Sequence, residues 1–383
     1  MIMDIDQPNG IMRRLHIRYS LLSLLAALLN LQACQSLAPE SNWKKADTII
    51  STILTGDFPE RSFPVTDFGA QPGGNTFATQ AINEAIRVCS EEGGGMVVVP
   101  PGTFLTGPVR LRSNVDLHLE EGAVLKFSTD PAQYLPLVKT RWEGVDCYNY
   151  SPLIYAFEEK NIALTGKGTL DGQADKTNWW PWKGRKEYGW YEGMKSQLDP
   201  GSRDLLMSFE EKNVPVEQRI MGDASCLRPP FVQFYACDII LIEDITIRNS
   251  PFWIIHPLLS ENIIIRGIKA VSHGPNNDGC DPESCRNVLI EDCFFDTGDD
   301  CIAIKSGRNN DGRHWNKPSE NIVIRQCNMQ NGHGGVAIGS EISGGCRNIF
   351  VENCTMNSPE LERAIRIKTN SQRGGTIEKV FIR

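Results

Sequence analysis

Positive charge is what this sequence is short of: 39 Lys and Arg face 47 Asp and Glu, for a formal net charge of −8. Holding a phosphate backbone needs a basic surface, so nucleic acid is excluded as a partner class. An acidic ligand is disfavoured only weakly, because salt screens charges more than about 8–10 Å apart and a local basic cluster can override the total. Glycine (34) and proline (22) make up about 15% of the 383 residues, short of the low-complexity range, while 40% hydrophobic content suffices for a sizeable core. The apolar run Leu21–Leu31 is too short to cross a bilayer comfortably. Two-residue Asn-Gly or Asp-Gly turns at regular spacing are scarce, which counts against an antiparallel sandwich.

The apolar run belongs instead to an export signal over residues 11–34, with Arg13, Arg14 and Arg18 before it and the small Ala33 after it. Leu31-Gln32-Ala33-Cys34 resembles the bacterial lipoprotein processing box, Gln32 being a less usual choice. It predicts a lipidated Cys34 as the first mature residue, hence an exported monomer, periplasmic or held at a membrane only by that anchor. Ordinary cleavage nearby and an uncleaved anchor are the alternatives, and Met12 is a second candidate start. Residues 35–62 read as a tether with one helical turn, and 63–383 as the folded domain. Of the 12 cysteines, Cys293, Cys327 and Cys354 each stand six residues after an Asn, which predicts an inward ladder of small apolar groups. Cys280 and Cys285 are the plausible local disulfide.

A chain of this length exceeds the usual single core unless it is repetitive. Asn75–Cys89 carries Ala78, Ala81, Ile82, Ala85, Ile86 and Cys89 at helical spacing and predicts one capping helix at an open sheet end. From Met96 the pattern turns to short β-branched runs, with no second helix of any length. Asp238-Ile239, Asn262-Ile263, Asn287-Val288, Asn321-Ile322 and Asn348-Ile349 then open successive repeats about 24–34 residues apart, which suits the coils of a parallel β-helix. Asn at each head fits a left-handed turn with stacked amides. Residues 130–230 break the rhythm as an aromatic-rich insertion whose Trp179, Trp180, Trp182 and Trp190 either stack on sugars or pack a small core of their own.

Measured from their repeat heads, Asp278, Asp299, Asp300, His333, Arg366 and Lys368 all emerge on one side of the solenoid. Coils stack about 4.8 Å apart, so carboxylates on neighbouring coils crowd together. Mutual repulsion then keeps one protonated while another stays ionised, which supplies the acid and base that cleavage of a glycosidic bond requires. Lys305 is either a further charge for an acidic sugar or a solvated strand end. His256 and His273 are candidates for lining the groove, with a structural role the commoner fate of a lone His, and Ser340 and Glu341 flank the same groove.

The segments NNDGCD (Asn276–Asp281), GDDC (Gly298–Cys301), GHGG (Gly332–Gly335) and RIK (Arg366–Lys368) resemble, in order, the four signature motifs of the polygalacturonases, glycoside hydrolase family 28. The resemblance extends over nearly all of the chain after residue 60. It implies an all-β, right-handed parallel β-helix that hydrolyses α-1,4-galacturonosyl bonds of pectin with inversion, without metal or organic cofactor. Asp299 would be the general acid, Asp278 and Asp300 would activate water, and His333 would tune the acid. Arg366, Lys368, Lys305 and Asn276 would bind the pectic substrate. Asn277 stands where the commonest form of the motif has Thr, which leaves open rhamnogalacturonan or another pectic glycan as substrate. The resemblance also implies further coils beyond Lys368, and the bulky insertion predicts attack from chain ends. A catalytically impaired glycan-binding β-helix and a pectate lyase are the rival readings.

Overall fold

A computed structural model describes residues 38–223 and 225–383; the signal segment and Cys34 lie outside the described residues. The chain winds through three parallel faces in turn. The first is a ten-stranded sheet running from Ser62–Pro64 through Gly95–Val99, Val115–Leu119, Lys160–Gly166 and Asp238–Glu243 to Ile377–Ile382. The second has seven strands, from Gly102–Thr106 to Asn328–Asn331. The third consists of a four-stranded and a three-stranded sheet, joined through Cys280, which bridges Ile255 on one side and Ile302 on the other. This is the parallel β-helix that the Asn-headed repeats predict.

Aliphatic stacking explains why the coils stay in register. Ile263, Val288, Ile322 and Ile349 pair in sequence across four coils, as do Ile265, Ile290, Ile324 and Val351, and all eight are buried. Each contributes about 1.5–3 kcal/mol by burial, and a slip of one residue would turn the whole column outward. The repeat heads behave as their chemistry demands: Asn262, Asn287, Asn321 and Asn348 take φ of 56–57°. Their amides form a ladder in which Asn321 donates to Asn287 and Asn348 to Asn321, both at 3.0 Å. At the first head it is Ile239, not Asp238, that adopts the left-handed conformation, while Asp238 accepts from the Asn262 amide at 2.8 Å.

The helix Thr79–Glu91 buries Ile82, Ala85, Ile86 and Cys89 against the first strands of the solenoid. Three further helices occur among the described residues: Ala38–Thr52, Arg203–Glu211 and Asn309–Trp315. The first replaces the single turn predicted for the tether. Residues 130–230 are not one insertion, because Ile154–Phe157, Lys160–Gly166 and Thr169–Asp171 complete a regular coil within them. Before that coil stands an antiparallel hairpin, Val138–Trp142 with Val145–Asn149; after it comes a long excursion containing Arg203–Glu211. The two excursions share a core of their own, where Trp142, Cys147, Leu206 and Met221 pack with Phe252 and Trp253.

The Cys280–Cys285 disulfide is not formed; both thiols are free and buried. Cys280 bridges neighbouring coils at the core, whereas the Cys285 thiol caps the carbonyls of Pro257 and Glu283 around the next corner. The expected ladder does form, with the Cys327 thiol between those of Cys293 and Cys354.

Candidate active site

Register alone brings the acidic residues together. Cys280, Ile302, Val336 and Ile365 are successive partners on the third face, so residues two positions before them stack, as do those three before. The first column reads Asp278, Asp300, Gly334 and Arg363; the second reads Asn277, Asp299, His333 and Glu362. One oxygen from each of Asp278, Asp299 and Asp300 lies within 4.8 Å of the others. His333 Nδ1 stands 3.0 Å from Asp299 Oδ1, with its Nε2 3.8 Å from Glu362. Gly334 has no side chain for a plain reason: a Cβ there would lie 2.9 Å from Asp300 Oδ1.

Cations meet this cluster from the same face. Lys368 is paired with Asp300 Oδ2, and Arg366 approaches Asp300 Oδ1 at 3.6 Å. Lys305 is not a solvated strand end: it is 2% exposed, lies 3.6 Å from Asp278, 3.4 Å from Asp281 and 3.4 Å from Glu341, and sits over the Trp253 ring. Three carboxylates could serve a hard divalent cation, but here three cationic side chains already face them.

The aspartates are electrostatically unequal. Burial, then repulsion from Asp299, pushes Asp278 up to about 7. Burial also raises Asp299, but the His333 hydrogen bond with Lys368 and Lys305 outweighs it and leaves the carboxyl below its usual range; the same bond raises His333. Asp281, fully buried beside Asp278, is raised well above the carboxylate range by burial and by that neighbour. Glu341 is the durable counter-ion of Lys305, because Lys305 and Arg308 overcome its burial and hold it at about 2. Below about pH 7 the free site therefore favours the proton on Asp278 and the charge on Asp299.

Other expected residues fall into place. Asn276 Oδ1 accepts from Lys183 at 2.7 Å and from Arg228 at 3.0 Å, two cations supplied by the second excursion. Burial, with Arg228 nearby, lowers Lys183 to about 8. His256 is structural: fully buried, it bridges Gln233 at 2.9 Å and Glu283 at 2.8 Å, and Glu283 continues to Arg141 and Asp146. His273 pairs with Asp296 at 3.2 Å, off the cluster. Ser340 and Glu341 line a cavity that Asp278, Asp299, Lys305 and Lys368 also face. Trp179 is buried against Tyr134 and Trp182, and Trp180 and Trp182 pack on the main core; Trp190 is half-buried and donates to Met194 O at 2.9 Å. Sequence reasoning missed Asp281, Lys183, Arg228, Arg308 and Arg373. Asp281 carried a signal, as a second acid inside NNDGCD; the others come from loops whose place no repeat dictates.

Residues 221–382 match the sequence model described as glycosyl hydrolases family 28, and residues 62–124 match one described as rhamnogalacturonase A/epimerase, pectate lyase-like. The chain is similar to a hyperthermoactive exopolygalacturonase of Thermotoga maritima, at 49% identity and a TM-score of 0.85 over 88% of this chain and 75% of that one. It is 33% identical to a probable polygalacturonase of Vitis vinifera over 84% of this chain and 60% of that protein. Its identity to an exo-poly-alpha-D-galacturonosidase of Dickeya chrysanthemi is 28%, over 83% of this chain and 54% of that protein. An acid cluster gathered from neighbouring coils of a parallel β-helix defines a class, and the likenesses specify it. The chain belongs to glycosyl hydrolase family 28, the polygalacturonase family. It spans 54–60% of the length of these two curated relatives.

Proposed function

We propose that the protein hydrolyses α-1,4-galacturonosyl linkages of polygalacturonate from chain ends. The observation that carries this reading is the convergence of Asp278, Asp299 and Asp300 within 4.8 Å of one another beside Arg366 and Lys368. Asp299 is the general acid. It is the most open of the three, with its side chain 18% exposed against 4% for Asp278 and 0% for Asp300, so it is the one that can reach a glycosidic oxygen. Burial is already the largest influence on Asp299, and a sugar closing over it adds to that influence, drawing the shared proton from Asp278.

Asp278 and Asp300 then hold the attacking water as carboxylates. One oxygen of each lies within 4.8 Å of the other, close enough for a single water to donate to both at about 2.8 Å each. The gap from Asp299 to this pair is shorter than the roughly 6.5–9.5 Å of ordinary inverting acid and base, so the inversion that the family implies is read from the anomer of the product. His333 positions Asp299. Arg366 and Lys368 hold Asp300 and take the uronate carboxylate, for which a forked guanidinium is well suited.

The test is the release of reducing ends from a panel of defined pectic oligosaccharides, with the anomer of the fresh product read by proton NMR. Cleavage of galacturonan with inverted product supports the reading. Cleavage of a rhamnogalacturonan alone would reassign the substrate, and binding without cleavage would leave a glycan-binding β-helix. Export with a lipid on Cys34 suits an extracellular polymer; the mass of the mature N-terminal peptide tests it. Among the described residues no helix is long and apolar enough to cross a membrane.

A further inference from the structure

The cavity beside the aspartates has an end wall that the hydrolytic step does not use. The cavity measures about 260 Å³, and Glu143, Arg203, Arg308, Glu341 and Arg373 line it together with Asp299. It is smaller than the roughly 300–1,000 Å³ of drug-sized sites, so it suits one sugar unit rather than a run of them. The wall is the tip of the hairpin pressed against the solenoid. A Cβ on Gly144, whose φ is +81°, would lie 2.8 Å from both Arg308 Cβ and Glu341 Cγ, and Arg308 N donates to Gly144 O at 3.1 Å.

Charge in this wall does not balance. Arg203 satisfies Glu143 through two hydrogen bonds of 2.9 and 2.8 Å, and Glu341 answers Lys305 at 3.4 Å. Arg308 stands only at the edge of both carboxylates, 3.8 Å from Glu143 and 3.7 Å from Glu341. Arg373 is 5% exposed and pairs with no carboxylate among the described residues. Its Nη1 donates to Asn309 Oδ1 at 2.6 Å, while its Nε has no partner. Burial first, then the facing Arg308, makes its charge costly. Three arginines thus meet two glutamates, one of which already answers Lys305. Glu341, Glu210 and Glu143 favour the Arg373 charge only from a distance, and a buried charge without a direct partner is expensive unless a ligand supplies the anion.

We infer that Arg373 and Arg308 form a carboxylate site for the terminal uronic acid unit of the chain, distinct from Arg366 and Lys368, which hold Asp300 and take the carboxylate of the neighbouring unit. The inference rests on the hydrolase reading for its substrate class. It makes end recognition a matter of charge as well as shape: the wall stops the chain, and the two guanidiniums require the stopping unit to be a free acid.

The experiment is titration calorimetry of the full chain with galacturonate, galacturonate methyl ester and galactose, beside turnover of trigalacturonate. Galacturonate should bind, and the two neutral sugars should bind about 10- to 100-fold more weakly. Arg373→Gln should lose a similar factor in galacturonate affinity and raise KM for trigalacturonate more than it lowers kcat, with a melting temperature that does not fall, since the variant removes a costly buried charge. Equal binding of galactose and galacturonate by the unaltered protein would overturn the proposal without any variant, as would undiminished affinity in folded Arg373→Gln. Binding of galacturonate without turnover would sink the hydrolase reading and leave the wall. Turnover with indifference to the acid would sink the wall and leave the hydrolase.

Discussion

Asp278 and Asp299 carry the same functional group and answer different fields, and that difference sets the pH response. Asp278, raised to about 7, retains the cluster's proton below that value and gives it up above. An acid-catalysed step needs the proton, so kcat/KM should fall as pH rises through about 7. A pH–rate profile level well into the alkaline range would show that this proton is not used. The opposed shifts also account for His333: removing its bond frees Asp299 from the strongest influence holding it below its usual range. His333→Ala should therefore cost about 10²-fold in kcat and alter the pH profile. Loss of activity with an unshifted profile would reduce His333 to a packing role. These residues were legible because the repeat itself positions them, each at a countable distance from an Asn. Lys305 was only half legible: its burial depends on Trp253, Asp281 and Glu341 closing over it, and proximity of that kind has no local signal.

At the level of the coil, the amide ladder is the element most exposed to test. Asn321 donates to one neighbour and accepts from the other at 3.0 Å each, in a left-handed turn at φ 57°. Asn321→Ala loses both bonds and strains the turn, so it should cost about 1–3 kcal/mol in urea unfolding. No change would mean that the aliphatic stack alone fixes the register. Period and alternation made this much of the fold readable. The helices Arg203–Glu211 and Asn309–Trp315 were not, being short and packed on the hairpin and its partner excursion. Their helicity comes from tertiary contact more than from any long periodic pattern. The regular coil inside residues 130–230 escaped for a related reason: with excursions on both sides, its spacing no longer matched the repeat.

For the molecule as a whole, the proposed end wall is the hairpin tip held against Arg308 and Glu341. Digests of polygalacturonate should accumulate galacturonate early rather than a spread of oligomers, as seen by anion-exchange chromatography. Gly144→Val should broaden the products toward longer oligomers, because a side chain cannot fit between the hairpin tip and Arg308. An early spread of oligomers from the unaltered protein would mean that the wall does not stop the chain. Fold alone does not decide the reaction; the proposed hydrolysis rests on the stacked carboxylates. The most direct measurement follows polygalacturonate, in the presence of a chelator, by reducing-end release and by the ultraviolet absorbance of unsaturated uronides, for the unaltered protein and for Asp299→Asn. The account predicts new reducing ends without unsaturated product, falling by several orders of magnitude in Asp299→Asn while its fold persists. Unsaturated product, or unaltered release by Asp299→Asn, would contradict it.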